Sequence, residues 1–148
     1  MQTTVFPRPV PASDSRHWAA GMHIGALVLA LLTSWMAGLA GALVAGVVYL
    51  ARRDEDAFVA AHARDALNFH LSMCLYACAI FVAAIALLGA TVVTLGIGAV
   101  VTLPAGLLLG AVACGLALLW LVSSIMAAVR AWNGEPYAHP LAIRFFGD

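Results

Sequence analysis

The chain has 148 residues, of which 64% are hydrophobic and 9% charged, with no lysine and a formal net charge of zero. Soluble globular domains average ~45–50% apolar and ~25% charged residues, and a fold of this size cannot hide so much additional apolar surface from water. The balance predicts a single-domain integral membrane protein, and without a Lys/Arg cluster it excludes nucleic-acid binding.

In chain order, residues 1–16 (MQTTVFPRPVPASDSR) lack an apolar core segment and carry Pro7, Pro9 and Pro11. Proline fixes φ and cannot donate a backbone hydrogen bond, so this stretch reads as a disordered tail and not as a signal peptide. An uncharged run follows from Gly21 to Ala51. As one helix it would be ~46 Å long, more than one crossing needs. Trp18 and Trp35 lie ~25 Å apart on a helix, close to the spacing of the two interfacial aromatic belts. The run is therefore divided at Thr33-Ser34-Trp35 into helices over 17–34 and 37–52, with a single crossing as the alternative.

The second uncharged run, Ala66 to Val129, is too long for one span of ~20 residues. Gly96, Gly98 and Pro104 interrupt it, which predicts helices over about 64–92 and 104–132. Asn133-Gly134 supplies the stop, with glycine able to take the left-handed C′ conformation. Arg8 and Arg16 precede the first run, Arg52, Arg53 and Arg64 lie between the runs, and Arg130 and Arg144 follow the second. An even number of crossings places all of them on one side, so the positive-inside rule favours an all-α transmembrane bundle of four helices over three. Gly38, Ala42 and Gly46, and likewise Gly106, Gly110 and Cys114, recur at spacings of four and suggest close packing within the bundle. Cys74, Cys78 and Cys114 read as small packing side chains.

The closing segment, 133–148, is broken by Pro136 and Pro140 and is too short to span. Its apolar residues suggest that it folds back along the interface, with Tyr137 and Arg144 meeting the carboxylates of Asp54, Glu55, Asp56 and Asp65.

One polar stripe enters the second apolar run. Asp65, Asn68, Ser72 and Tyr76 follow at spacings of three, four and four, which places them on one helical face. Buried amides and hydroxyls need partners in hydrocarbon, so the stripe should face other helices near His23, or else a wet groove. His62, Asp65 and Asp56 could contribute metal ligands, but two residues at i, i+3 do not make a site. There is no G-x-S-x-G elbow and no identifiable nucleophile, so neither catalysis nor a cofactor is expected.

The stretch HARDALNFH (62–70) and the ending AVRAWNGEPYAHPLAIRFF (128–146), with Trp18 and His23 upstream, resemble two signatures of the MamF/MmsF-like family of small bacterial membrane proteins. The resemblance runs from Trp18 to Phe146. The matching positions are His62, Ala66, Leu67, Asn68, Phe69, Gly134, Tyr137, Pro140, Leu141, Ile143, Arg144 and Phe145. His70 departs from the family's usual glutamine and His139 from its usual tyrosine. The family resembles, distantly, the twenty-kilodalton inner-envelope subunit of the chloroplast import translocon. Its magnetosome members are associated with magnetite crystal growth and self-assembly, and the chloroplast relative with a protein-conducting channel. The resemblance thus implies a non-catalytic scaffold, assembly factor or accessory subunit of a bacterial inner membrane. Its partners would be lipid and other membrane proteins or further copies of itself, and a channel or translocation component is the alternative. The long acidic stretches suited to mineral templating are missing, since RRDED (52–56) is the only cluster.

Overall fold

A computed structural model describes residues 10–33 and 37–147, apart from the side chain of Ala37. Trp35, Arg8 and most of the proline-rich start lie outside these residues. Four helices make up the described fold: α1 (Ser13–Thr33), α2 (Ala37–Arg52), α3 (Ala57–Val93) and α4 (Ala99–Trp132).

Three helix starts differ from the sequence expectation. α1 opens at Ser13, inside the stretch read as a tail. α3 opens at Ala57 and not near Arg64, because Asp56 caps it: Oδ1 accepts from the amides of Phe58 at 3.0 Å and Val59 at 3.1 Å. α4 opens at Ala99, with the Thr102 amide already donating to the Gly98 carbonyl at 2.9 Å. Pro104 therefore lies inside the helix, where its missing N–H forgoes one bond near the helix start.

The two long helices end in the same way. At α3, the amide of Gly96 donates to the carbonyl of Thr91 and that of Leu95 to Val92; at α4, Glu135 donates to Arg130 and Gly134 to Ala131. Both are Schellman closures with a left-handed C′ residue, Leu95 (φ 51°) and Gly134 (φ 75°).

The helices alternate in direction. α1 packs on α2 and α4, α2 packs on α3, α3 packs on α4, and α1 meets α3 in the interior. The core is built from small side chains, including Ala19, Ala20, Ala26, Ala45, Ala63, Ala66, Ala127 and Ala131, with Phe69 and Val59 as its largest fully buried residues. Small residues let helix backbones approach where lipid supplies no hydrophobic drive. Two tight contacts use Gly38 and Gly41. A Cβ on Gly38 would lie 2.5 Å from Cys74 Sγ, and one on Gly41 would lie 2.4 Å from the His70 ring. The α4 stripe behaves differently: a Cβ on Gly106 or Gly110 would meet nothing within 4 Å, and Cys114 is exposed. That stripe does not pack within the chain.

The helices also differ in reach. Gly38, at the start of α2, faces Cys74, so the α1–α2 pair ends about halfway along α3. The buried residues of α3 end at Met73 and those of α4 begin at Ser123. Beyond Met73, α3 continues for about 30 Å at about 1.5 Å per residue, close to the hydrocarbon thickness of a bilayer. Leucine, valine, isoleucine and phenylalanine side chains cover this outer arm and its α4 counterpart, with Val93, Leu95 and Val100 more than 80% exposed. Among the described residues, two helices, α3 and α4, are both long and apolar enough to cross a membrane. The chain is an all-α membrane protein in which a shorter helical hairpin flanks the charged half of a long one.

Candidate functional site

Gly134 starts the site. Its left-handed backbone turns the chain back out of α4, and the Arg130–Glu135 ion pair holds the first residues of the tail beside the helix end. From there the tail rises along α3. The Glu135 carbonyl meets His62, His139 meets Asp65, and the Leu141 carbonyl meets Tyr76. Leu141 turns it at φ 58°, and it descends past Ser72, Asn68 and Arg64.

Nearly all of these contacts are between a side chain of α3 and main-chain atoms of the tail. The Asp65 Oδ2 accepts from the His139 amide at 2.9 Å and from His139 Nδ1 at 2.6 Å. Ser72 Oγ donates to the Asn68 carbonyl and accepts from the Ile143 amide, both at 2.7 Å. Asn68 Oδ1 accepts from the amides of Phe145 and Phe146, while its Nδ2 donates to the Phe146 carbonyl at 3.0 Å. Tyr76 Oη donates to the Leu141 carbonyl at 2.8 Å, and Arg64 donates to the Gly147 carbonyl at 3.2 Å. An irregular segment carries a main-chain donor and acceptor at every non-proline residue, and these need partners wherever water is scarce. The stripe meets that need.

A layer of imidazoles lies behind the stripe. A carbonyl can only accept, so His62 Nε2–H donates to Glu135 (3.1 Å) and its Nδ1 accepts from His23 Nε2–H (3.2 Å). His139 stacks on Phe69 with centroids 4.4 Å apart, meets Tyr137 edge-on and lies 5.7 Å from His23. His70 packs over Gly41 and accepts from Trp120 Nε1 at 3.4 Å. Tyr137 donates to Ser123 on α4 at 3.3 Å. The layer thus ties α1, α2, α3, α4 and the tail together.

These contacts revise the expected pairings. Asp65, Asn68, Ser72 and Tyr76 lie on one face, but their partner is the tail and not a neighbouring helix, while His23 bonds His62. Asp65 meets His139; Tyr137 goes to Ser123, and among the described residues Arg144 makes no ion pair. Gly134, Pro140 and Phe145 all fall within the docked tail. His139, Trp120, Ser123 and Gly41 carry only faint signals in the sequence: His139 reads as a departure from a family pattern, and the spacing of four runs through Ala42 and not Gly41. Among the described residues, no three His, Cys, Asp or Glu side chains converge to hold a metal ion.

The base of the site carries the remaining charge. Arg52 pairs with Glu55 at 3.1 Å and lies 4.3 Å over the Trp18 ring, a cation–π contact that ties the end of α2 to the first turns of α1. Burial pushes the Asp56 carboxyl up, but the Ser15 hydroxyl, the Val59 and Phe58 amides and Arg52 outweigh it and hold the group below its ordinary value of 3.8.

In comparison with known proteins, residues 14–146 match the model of a family described as the magnetosome magnetite crystal formation protein family. No curated protein and no solved structure shows significant similarity.

Proposed function

The chain belongs to this MamF/MmsF family, and on that premise we propose that it is a non-catalytic membrane scaffold or accessory subunit serving magnetite formation. In this reading it resides in the inner membrane or a membrane derived from it. The outer arms of α3 and α4 cross the bilayer, and both chain ends and the charged base face the cytoplasm. The base, built from the α2–α3 connection and the docked tail, is the surface offered to other membrane proteins or further copies of the chain.

One observation carries the choice of a scaffold over a channel. The polar stripe along α3 is occupied by the chain's own tail, so Asp65, Asn68, Ser72 and Tyr76 bond protein and do not line an open path. Thiol labelling in a cysteine-free background tests this. Ser72→Cys and Tyr76→Cys should resist water-soluble maleimides in the intact membrane. Rapid labelling of both would favour the channel or protein-translocation reading.

A further inference from the structure

The tail has an outward face as well as a bonded one. Tyr76 bonds the Leu141 carbonyl, Ser72 the Ile143 amide, and Asn68 the amides of Phe145 and Phe146. These bonds fix the height of each tail residue along α3. At about 1.5 Å per residue, Leu141 lies about 5 Å beyond Met73, Ile143 lies level with it, and Phe145 and Phe146 lie about 8 Å before it. Arg144 falls between the last two levels. Met73 is where the buried part of α3 ends and the outer arm begins. Tyr76 on α3 and Trp120 on α4, which bonds His70, flank that level as interfacial aromatics do. Leu141, Ile143, Phe145 and Phe146 are all exposed there. Arg144 is exposed too, and among the described residues it makes no ion pair.

We infer that this face of the tail anchors the chain in one membrane leaflet, with Leu141 in the margin of the hydrocarbon and Arg144 on the phosphates of phospholipid headgroups. A headgroup layer is about 5–7 Å thick on either side of a hydrocarbon core of about 30 Å. With the core beginning at Met73, that layer spans the levels of Ile143, Arg144 and the two phenylalanines. Arginine forms charge-assisted, often bidentate hydrogen bonds to phosphate oxygens, and the leucine and the rings leave water beside it. Irregular backbone is tolerated at the edge of hydrocarbon only where its polar groups are satisfied. Tyr76, Ser72 and Asn68 satisfy them, so the stripe is what lets a non-helical segment lie at this depth. The two ends of the tail, bonded to His62 and Arg64, stay with the base. The inference rests on the proposal that the outer arms of α3 and α4 cross the bilayer, and the two can fail separately.

The experiment uses the full chain in vesicles of phosphatidylcholine and phosphatidylglycerol, with a nitroxide label on a single introduced cysteine in a cysteine-free background. The sites are Leu141→Cys, Phe146→Cys, Leu107→Cys on the outer arm and Asp54→Cys at the base. Collision with oxygen, which concentrates in hydrocarbon, against collision with a water-soluble nickel chelate reads the depth of each label. The labels at Leu107 and Leu141 should favour oxygen, that at Phe146 should be intermediate, and that at Asp54 should favour nickel. A Leu141 label as open to nickel as the Asp54 label, with Leu107 still favouring oxygen, would overturn the anchor and leave the crossing helices standing. A Leu107 label open to nickel would remove the crossing helices and the anchor with them. A Leu141 label shielded from both reagents would assign the face to a protein neighbour or a second copy, and overturn the lipid assignment. Arg144→Glu leaves the tail's main-chain bonds in place but sets a carboxylate against phosphate, so it should shift the Phe146 label towards water, while Arg144→Lys should not. A Phe146 label unmoved by Arg144→Glu would overturn the role of Arg144.

Discussion

Asn68 and Phe146 exchange hydrogen bonds as two paired β-residues do. The Phe146 amide donates to Asn68 Oδ1 at 2.9 Å, and Asn68 Nδ2 donates to the Phe146 carbonyl at 3.0 Å. One side-chain amide on a helix thereby stands in for a neighbouring strand. Phe145 and Phe146 remain 47% and 45% exposed, so the pairing fixes the tail's path and leaves their rings outward.

Replacing Asn68 by leucine should therefore free the tail and leave the helices intact. The loss should be about 0.5–2 kcal/mol in a detergent melt, the range for polar bonds in this setting. Proteolysis of the tail in inside-out vesicles should accelerate in parallel. A variant whose tail stays as protected as the wild type would show that Asn68 does not hold it.

Glycine positions should separate cleanly. Gly41→Ala places a methyl 2.4 Å from the buried His70 ring and should cost about 1–3 kcal/mol through overpacking. Gly38→Ala should cost less, because its nearest atom is the Cys74 sulfur, which can rotate away. Gly106→Ala meets open space, and alanine's better helix propensity should make it neutral or stabilising by about 0.5–1 kcal/mol. Comparable losses at all three positions would contradict the packing described here.

Asp56 predicts a specific acid sensitivity. Its carboxyl is held below 3.8 in the fold, so its contribution is complete above the unfolded value and disappears as pH falls through the depressed folded one. Asp56→Asn keeps a capping oxygen but cannot titrate, so its melting temperature should fall less steeply with acid over that window. Identical acid slopes for the two proteins would remove Asp56 from the account. Asp56→Ala should cost about 0.5–2 kcal/mol near neutral pH, as cap deletions do.

The unequal reach of the two hairpins predicts an unequal labelling pattern. In a cysteine-free background, Leu95→Cys at the exposed α3–α4 tip should react with an impermeant thiol reagent supplied from the far side of the membrane. Thr33→Cys, at the top of the shorter hairpin, should not. Reaction at both would instead give α1 and α2 complete crossings, and reaction at neither would remove the far-side placement of the tip.

The sequence by itself determined the solvent and the secondary structure. A 64% apolar, lysine-free composition has no aqueous solution, and uncharged runs broken at Gly96–Gly98 and stopped at Asn133-Gly134 must form helices, since backbone in lipid needs its hydrogen bonds internally. The 3.6-residue period likewise put Asp65, Asn68, Ser72 and Tyr76 on one face. Helix starts were less legible, because the limits of charge in the sequence do not reveal that Asp56 caps α3 or that Pro104 can sit within α4. Tertiary structure alone decided what the stripe touches and how far each helix reaches. Asn68 offers the same donor and acceptor to a helix, to water or to a strand-like tail, and only the turns at Gly134 and Leu141 bring the main chain of residues 135–147 to it. In the same way, small residues mark Gly38–Gly41 and Gly106–Gly110 alike, yet only the packed backbones distinguish a contact with His70 from a face open to lipid.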